Sequence, residues 1–141
     1  MDFGVTSTGL MDGLTVGFGM GTEETTVGTE LDHQVAFATY SYGGITVGGN
    51  INEIEGDAAS NDIEFSSLGI TYAVTDDFSI GYNTSTSDNA AQAQDQEATG
   101  ISASWTSGGV SVGGMINTVD NASYAASQDT EGYELNISFA F

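Results

Sequence analysis

The C-terminal segment 133–141 alternates apolar residues with polar or small residues without a break. Because successive side chains of a strand point to opposite faces, this segment predicts a β-strand with one apolar face and one polar face. Such a strand can pack its apolar face on a second sheet or expose that face to lipid. The apolar positions are Tyr133, Leu135, Ile137, Phe139 and Phe141, and the other positions are Glu134, Asn136, Ser138 and Ala140.

The alternation recurs as a repeat through the rest of the chain. A tight turn precedes each repeat, at 12–13, 43–44, 75–77 and 107–109, and a longer polar loop follows it, at about 21–31, 55–62, 87–96 and 120–130. Alternating turns and loops predict an all-β, antiparallel up-and-down barrel, because each joins neighbouring antiparallel strands. We expect one domain over 1–141, with eight strands in 14–141 and an extra strand in 1–13. The repeats are LTVGFGMG from Leu14, ITVGGNIN from Ile45, FSIGYNTS from Phe78 and VSVGGMIN from Val110.

The charge balance and the missing residue types exclude several classes of function. The chain has 20 acidic residues and no lysine or arginine, so nucleic acid is not an expected partner, because basic residues are needed to displace its counterions. Cysteine is absent, which excludes disulfides and thiolate metal sites. No run of about 18 apolar residues occurs, so no transmembrane helix is expected.

The alternation, the hairpin spacing and the terminal Phe141 resemble the bacterial outer-membrane β-barrels. In that group the last residue is an aromatic barrel-assembly signal, a role that the resemblance assigns to Phe141. Small uncharged residues on the predicted inward face suit the wall of a wide aqueous channel better than the packed interior of a small barrel. The chain is therefore similar to the C-terminal part of the general diffusion porins of alphaproteobacteria, which have about sixteen strands. It departs from them in having no basic residue on the channel wall.

This resemblance implies a function, a location and partners. The expected function is passive diffusion of small hydrophilic solutes through a channel in the bacterial outer membrane. The expected partners are membrane lipid, lipopolysaccharide and two further copies of the chain in a trimer. No cofactor is expected. Aromatic residues near the short turns would form a girdle at the membrane interface, because their rings are apolar and their tips polar. That girdle comprises Tyr40, Tyr42, Tyr72, Phe78, Trp105 and Phe139.

Acidic residues in or beside the longer loops predict a negatively charged channel mouth. Such a mouth would concentrate cations and repel anions, so we expect cation preference. Its carboxylate oxygens could also bind Ca²⁺ or Mg²⁺ loosely, bridging to lipopolysaccharide phosphates. The mouth comprises Glu23, Glu24, Glu30, Asp32, Glu55, Asp57, Asp62, Asp88, Asp95, Asp120, Asp129 and Glu131.

Two other functions fit parts of the pattern. A structural or adhesive β-protein, such as an acidic fibre of stacked hairpins, would face its apolar strands toward another sheet, and its acids would limit edge-to-edge aggregation. A hydrolase at the membrane rim could use His33 with Asp32 as an acid–base pair. Because no nucleophile motif accompanies that pair, we expect no catalytic site and no enzyme activity.

Overall fold

The computed structural model describes residues 2–24, 28, 30–57 and 62–140, and these form nine antiparallel strands in a single sheet. Each strand pairs with its neighbours in sequence, so the order is β1 to β9 and the edges are β1 and β9. This is the predicted all-β, up-and-down, barrel-like fold. The strands are β1 Phe3–Ser7, β2 Leu14–Glu24, β3 Glu30–Tyr42, β4 Ile45–Gly56, β5 Ile63–Ala73, β6 Phe78–Asn89, β7 Gln96–Ser107, β8 Val110–Asp120 and β9 Thr130–Phe139.

The two faces of the sheet differ in both polarity and exposure. In the register, Val47 lies opposite Tyr40 on one side and Ile70 on the other, so large apolar side chains share one face, here called the apolar face. These side chains are exposed: Ile101 is 64% and Ile116 is 65% accessible. No hydrophobic residue in the described part of the chain is buried. An exposed apolar surface of this extent is typical of contact with another apolar phase rather than with water.

The strands continue further from the short turns than the sequence pattern predicted. β2 continues to Glu24 and β6 to Asn89, past the predicted loop starts at about 21 and 87. These loop starts were predicted too early because the strands continue there with their polarity exchanged. Glu53 and Glu64 occupy the side of the sheet that carries Ile51 and Leu68, while Phe65 has the opposite parity.

Three of the short connections are tight turns with recognisable chemistry. Gly43 and Gly44 have positive φ angles of 57° and 84°, which a two-residue hairpin turn requires. Gly108 and Gly109 repeat this arrangement with φ angles of 58° and 82°. In the turn before β6 the hydroxyl of Thr75 accepts hydrogen bonds from backbone N–H groups, which satisfies donors left by the reversal of the chain. The predicted turn positions are therefore occupied by turns.

Helical structure within the described ranges is confined to a 3-10 turn at Ala122–Tyr124. The described residues include no helix with the length and apolarity that crossing a membrane requires.

Candidate functional site

The second face of the sheet, here called the polar face, is built mostly from glycine, serine, threonine and asparagine, and Val35, Phe37 and Met115 are apolar exceptions on it. At Gly100 a Cβ atom would lie 2.6 Å from Oδ1 of Asn83 and 2.7 Å from Oδ1 of Asn117. The glycine therefore lets amide groups from both neighbouring strands lie close over the backbone. The part of this wall that is formed by these residue types is uncharged and rich in hydrogen-bonding groups. Its members include Thr46, Gly48, Asn50, Gly69, Thr71, Ser79, Gly81, Asn83, Gly100, Ser102, Ser104, Ser111, Gly113, Asn117, Asn136 and Ser138.

Cross-strand hydroxyl pairs order this wall near the short turns. The hydroxyl oxygens are 2.8 Å apart in Ser79–Ser104 and 2.9 Å apart in Thr106–Ser111. A similar pair, Ser41–Thr46, joins β3 to β4 at 2.8 Å. Each hydroxyl keeps a free lone pair, so the wall can still exchange hydrogen bonds with water or with a solute.

The strand carboxylates divide unequally between the two faces. Only Glu23 and Glu134 lie on the polar face. All the others have the parity of the apolar face and stand beyond its apolar band, at the ends of the strands distant from the short turns. These are Glu24, Glu30, Asp32, Glu53, Glu55, Glu64, Asp88, Glu97, Asp120 and Glu131.

The register places several of these carboxylates directly opposite one another. Glu64 has Glu53 on one side and Asp88 on the other, and Glu97 faces Asp120. Like charges in opposite positions destabilise a sheet, so electrostatic repulsion within this rim of carboxylates lowers the stability of the fold. Among the described residues no group of three or more histidine, aspartate or glutamate side chains could hold a metal ion. Loose binding of Ca²⁺ or Mg²⁺ stays a prediction.

The remaining acids of the predicted mouth lie in the loops, where the carboxylates of three of them accept hydrogen bonds from backbone N–H groups. Asp62 accepts a hydrogen bond from the backbone N–H of Gly56 at 3.0 Å, and Asp129 accepts one from Asn121 at 3.3 Å. Asp57 accepts a longer one from the N–H at the start of β3, at 3.4 Å. The backbone oxygen of Asp95 accepts a hydrogen bond from the Asn121 side-chain amide at 3.1 Å, and Asp95 is exposed to solvent.

The single histidine does not pair with the residue that the rim-hydrolase hypothesis required. Asp32 lies on the apolar-face side of β3 and accepts a hydrogen bond from the Thr22 hydroxyl at 2.8 Å. His33 has the opposite parity, because adjacent residues of a strand point to opposite faces. Its Nε2 atom is 3.6 Å from a carboxylate oxygen of Glu23. The His33–Asp32 pair that the rim-hydrolase hypothesis requires is therefore not formed, because the two side chains are on different faces.

The predicted aromatic girdle lies on the apolar face near the short turns. Tyr42 ends β3 and is 77% exposed, and Phe139 ends β9 and is 66% exposed. Phe78 and Trp105 are directly opposite each other in the register. Tyr40 and Tyr72 share this face and this end of the sheet. Contact of the girdle with a membrane interface stays a prediction, and Phe141 lies outside the described residues.

The connection 121–129 folds over the polar face. The Tyr124 hydroxyl is 2.8 Å from the hydroxyl of Ser87, and the backbone N–H of Ser123 donates to Oε1 of Gln96 at 2.9 Å. Ser87 and Gln96 are directly opposite each other on the polar face of β6 and β7. Ser123 and Tyr124 have φ angles of 59° and 58°, which cost energy for non-glycine residues. The loop thus covers the end of the polar face that is distant from the short turns, at the energetic cost of these two backbone conformations.

Replacing Tyr124 with phenylalanine tests how firmly this loop is held. We expect amide hydrogen exchange at Ser123 to accelerate about fivefold, because one hydrogen bond contributes about 1 kcal/mol. Tyr133→Phe is the matched control, since Tyr133 is 91% exposed on the apolar face. Equal exchange in the two variants would contradict a role for the Tyr124–Ser87 contact.

Sequence reasoning missed Tyr124 and the special position of Glu134. Nothing in the sequence indicates positive φ angles at Ser123 and Tyr124, although Asn121 is a residue type that tolerates them. Glu134 could have been noticed as the lone acid inside an otherwise uncharged alternating strand.

Comparison with known proteins gives structural matches only. No family model matches the chain, and no curated protein matches it. The chain superposes on an anion-selective porin from Comamonas acidovorans with a TM-score of 0.75 and 18% identity, over 93% of this chain and 46% of that one. A porin structure refined at 1.8 Å resolution gives a TM-score of 0.74 and 18% identity, over 99% and 50% of the two chains.

A third match is to OmpT of Vibrio cholerae, with a TM-score of 0.70 and 14% identity, over 99% of this chain and 55% of that one. The chain therefore spans about half the length of these structures. The agreement extends over almost all of this chain, and the identity is low. The chain has the fold of the outer-membrane porins, an up-and-down antiparallel β-barrel, over about half of their length.

Proposed function

We propose that this chain forms part of a porin channel in a bacterial outer membrane, through which small hydrophilic solutes diffuse passively. The observation that carries the proposal is that the apolar side chains of the sheet are exposed instead of buried in a core. Large apolar side chains are exposed on one face, while the opposite face presents hydroxyl, amide and glycine surface. A lipid phase outside and water inside satisfy both faces together.

The proposed membrane partners follow from the same geometry. The apolar face would contact lipid tails, and the carboxylate rim beyond it would lie at the level of lipopolysaccharide head groups. Ca²⁺ or Mg²⁺ could bridge the rim to phosphates, as hard cations prefer oxygen ligands. A trimer form is described for OmpT of Vibrio cholerae. We propose that this chain also forms homo-oligomers.

Cation preference is the finer part of the proposed function. The chain contributes no lysine or arginine to any wall, and the polar face carries Glu23 and Glu134. The reversal potential of refolded protein in planar bilayers under a KCl gradient is expected to indicate cation selectivity. Anion-selective steps would contradict the preference, and protein that stays soluble without detergent and never inserts would contradict the channel itself.

Adjacent glutamates provide a matched pair for locating the selectivity. Glu23 lies on the polar face and Glu24 on the opposite side of β2. Glu23→Gln is expected to lower the cation-to-anion permeability ratio by up to about threefold at low ionic strength, the effect of one charge about 6 Å from the ion in water. Glu24→Gln is expected to leave the ratio unchanged. A larger effect at Glu24 would place the ion path on the other face.

The alternative, a structural or adhesive β-protein, is favoured by no observation. It requires a second sheet against the apolar face, and because all strands in the part of the chain that the structure describes belong to one sheet, that second sheet would have to come from another molecule.

A further inference from the structure

The polar face contains a recess that includes a carboxylate. Its volume is about 410 Å³, which is in the range of small-molecule sites. Glu134 and Asn136 of β9, Met115 of β8 and Ser102 of β7 contribute side chains to its lining. Gly81 and Gly113 also line it, and because they have no side chains they leave it open to a solute.

Glu134 differs from every other strand carboxylate in its position along the strand. Its neighbours Tyr133 and Leu135 belong to the apolar face, so Glu134 stands opposite the apolar band itself. Glu23, the other carboxylate of the polar face, is flanked by Thr22 and Glu24 and lies beyond that band. An ionisable group at membrane depth requires water or a charged partner, and it marks a functional position by default.

The chain offers Glu134 no cationic partner. Lysine and arginine are absent from the sequence, and the only histidine, His33, lies beside Glu23. Any counter-charge for Glu134 therefore comes from outside this chain. A divalent metal is a poor fit, because Ca²⁺ takes 6–8 oxygen ligands and the recess supplies one carboxylate.

A primary ammonium group is a better fit. It has three N–H donors and no acceptor, and it pairs with a carboxylate through charge-assisted hydrogen bonds. The recess presents acceptors of three kinds: the carboxylate of Glu134, the amide oxygen of Asn136 and the hydroxyl of Ser102.

We propose that the recess around Glu134 is a binding site for the primary ammonium group of small hydrophilic solutes. The inference rests on the proposed channel, because water on the polar face gives solutes their access to Glu134. It adds a residue and a solute class to a general diffusion pathway.

Met115 provides a local probe of this site. Its sulfur accepts a weak hydrogen bond from the Asn117 amide at 3.6 Å, and its side chain lines the recess. The full chain, refolded in detergent with isotopically labelled methionine methyl groups, is titrated with 1,4-diaminobutane and followed by NMR. The neutral 1,4-butanediol is the matched solute. Met20, on the apolar face, is the internal control.

We expect the Met115 signal to shift saturably with the diamine and to stay unchanged with the diol. Glu134→Gln is expected to weaken the apparent affinity about tenfold, because it removes the charge-assisted hydrogen bond. Glu131→Gln, on the other face of the same strand, is expected to have no effect. Should Glu134→Gln fail to fold, Asn136→Ala removes a second acceptor and is expected to weaken binding about fivefold.

The proposed site is overturned if the Met115 signal does not shift with the diamine, or if it shifts equally with the diol. Equal affinities in Glu134→Gln and Glu131→Gln overturn it as well. Bilayer recordings separate this failure from failure of the channel. A chain that conducts without a Met115 response retains the channel and loses the site, and a chain that binds the diamine without conducting loses only the channel.

Discussion

Arginine in place of Ile70 will destabilise the folded chain in phospholipid vesicles by about 2–4 kcal/mol, the cost of a cationic side chain on the lipid face of a barrel near the bilayer midplane. Ile70 is 44% exposed on the apolar face of β5, between Val47 and Tyr82 in the register. Arginine in place of the adjacent Thr71 will cost less than about 1 kcal/mol, because Thr71 lies on the polar face, where an arginine can remain hydrated.

The two variants are compared by urea unfolding in vesicles, followed by far-ultraviolet circular dichroism. They carry the same new side chain on adjacent positions of one strand, so the strand propensity of arginine is the same in both. The phase that each face contacts is then the main difference between them. Equal destabilisation, or greater destabilisation by Thr71→Arg, would contradict lipid contact by the apolar face and with it the proposed channel.

Strand length and polarity together suggest where the membrane ends on the sheet. β4 has 12 residues, whereas about 9–11 residues cross a bilayer. Its apolar positions end at Ile51, and Glu53 and Glu55 follow on the same face. The outer ends of the hairpins therefore have the polarity of strands in water, which explains how carboxylates can share a face with the apolar band that we propose contacts lipid.

The sequence predicted the hairpins and the two faces because both depend on local rules. Glycine pairs such as Gly43–Gly44 specify tight turns, and strict alternation from Ile45 to Ile51 specifies which side chains share a face. These rules require no information about distant residues. They identified the apolar face, the polar face and the aromatic cluster near the short turns.

The strand ends could not be predicted in the same way, because the pattern was read with a fixed polarity. Beyond Ile51 the alternation continues as Asn52, Glu53, Ile54 and Glu55, with acids where apolar residues had been. A search for apolar residues on one parity ends the strand within this stretch, and the predicted loop accordingly begins at about 55. Backbone pairing is indifferent to which face is apolar, so β4 and β5 continue to pair through Ile54 and Ile63.

The contacts of the candidate site depended on tertiary structure. The Tyr124–Ser87 contact joins residues 37 positions apart through a loop with left-handed backbone at non-glycine positions. The recess around Glu134 draws its lining from several strands that become neighbours only in the folded sheet. Local sequence patterns carry no signal for either arrangement.

Alanine in place of Gly13 will destabilise the chain by about 3 kcal/mol or more, whereas alanine in place of Gly43 will cost about 1–2 kcal/mol. Both glycines have positive φ angles, 79° and 57°, so both variants pay the left-handed backbone penalty. At Gly13 the added Cβ would also overlap the carbonyl oxygen of Ser41. At Gly43 nothing lies within 4 Å of the added atom.

The extra cost at Gly13 arises because backbone cannot rotate away as a side chain can. Relieving the overlap would move Ser41 and strain its hydrogen bond to the Gly13 carbonyl, now 2.9 Å long, which links the first turn to the end of β3. Urea unfolding of the refolded variants measures the difference, with Gly43→Ala as the reference for the backbone term. Equal free energies of unfolding would show that the turn before β2 is not held against the end of β3.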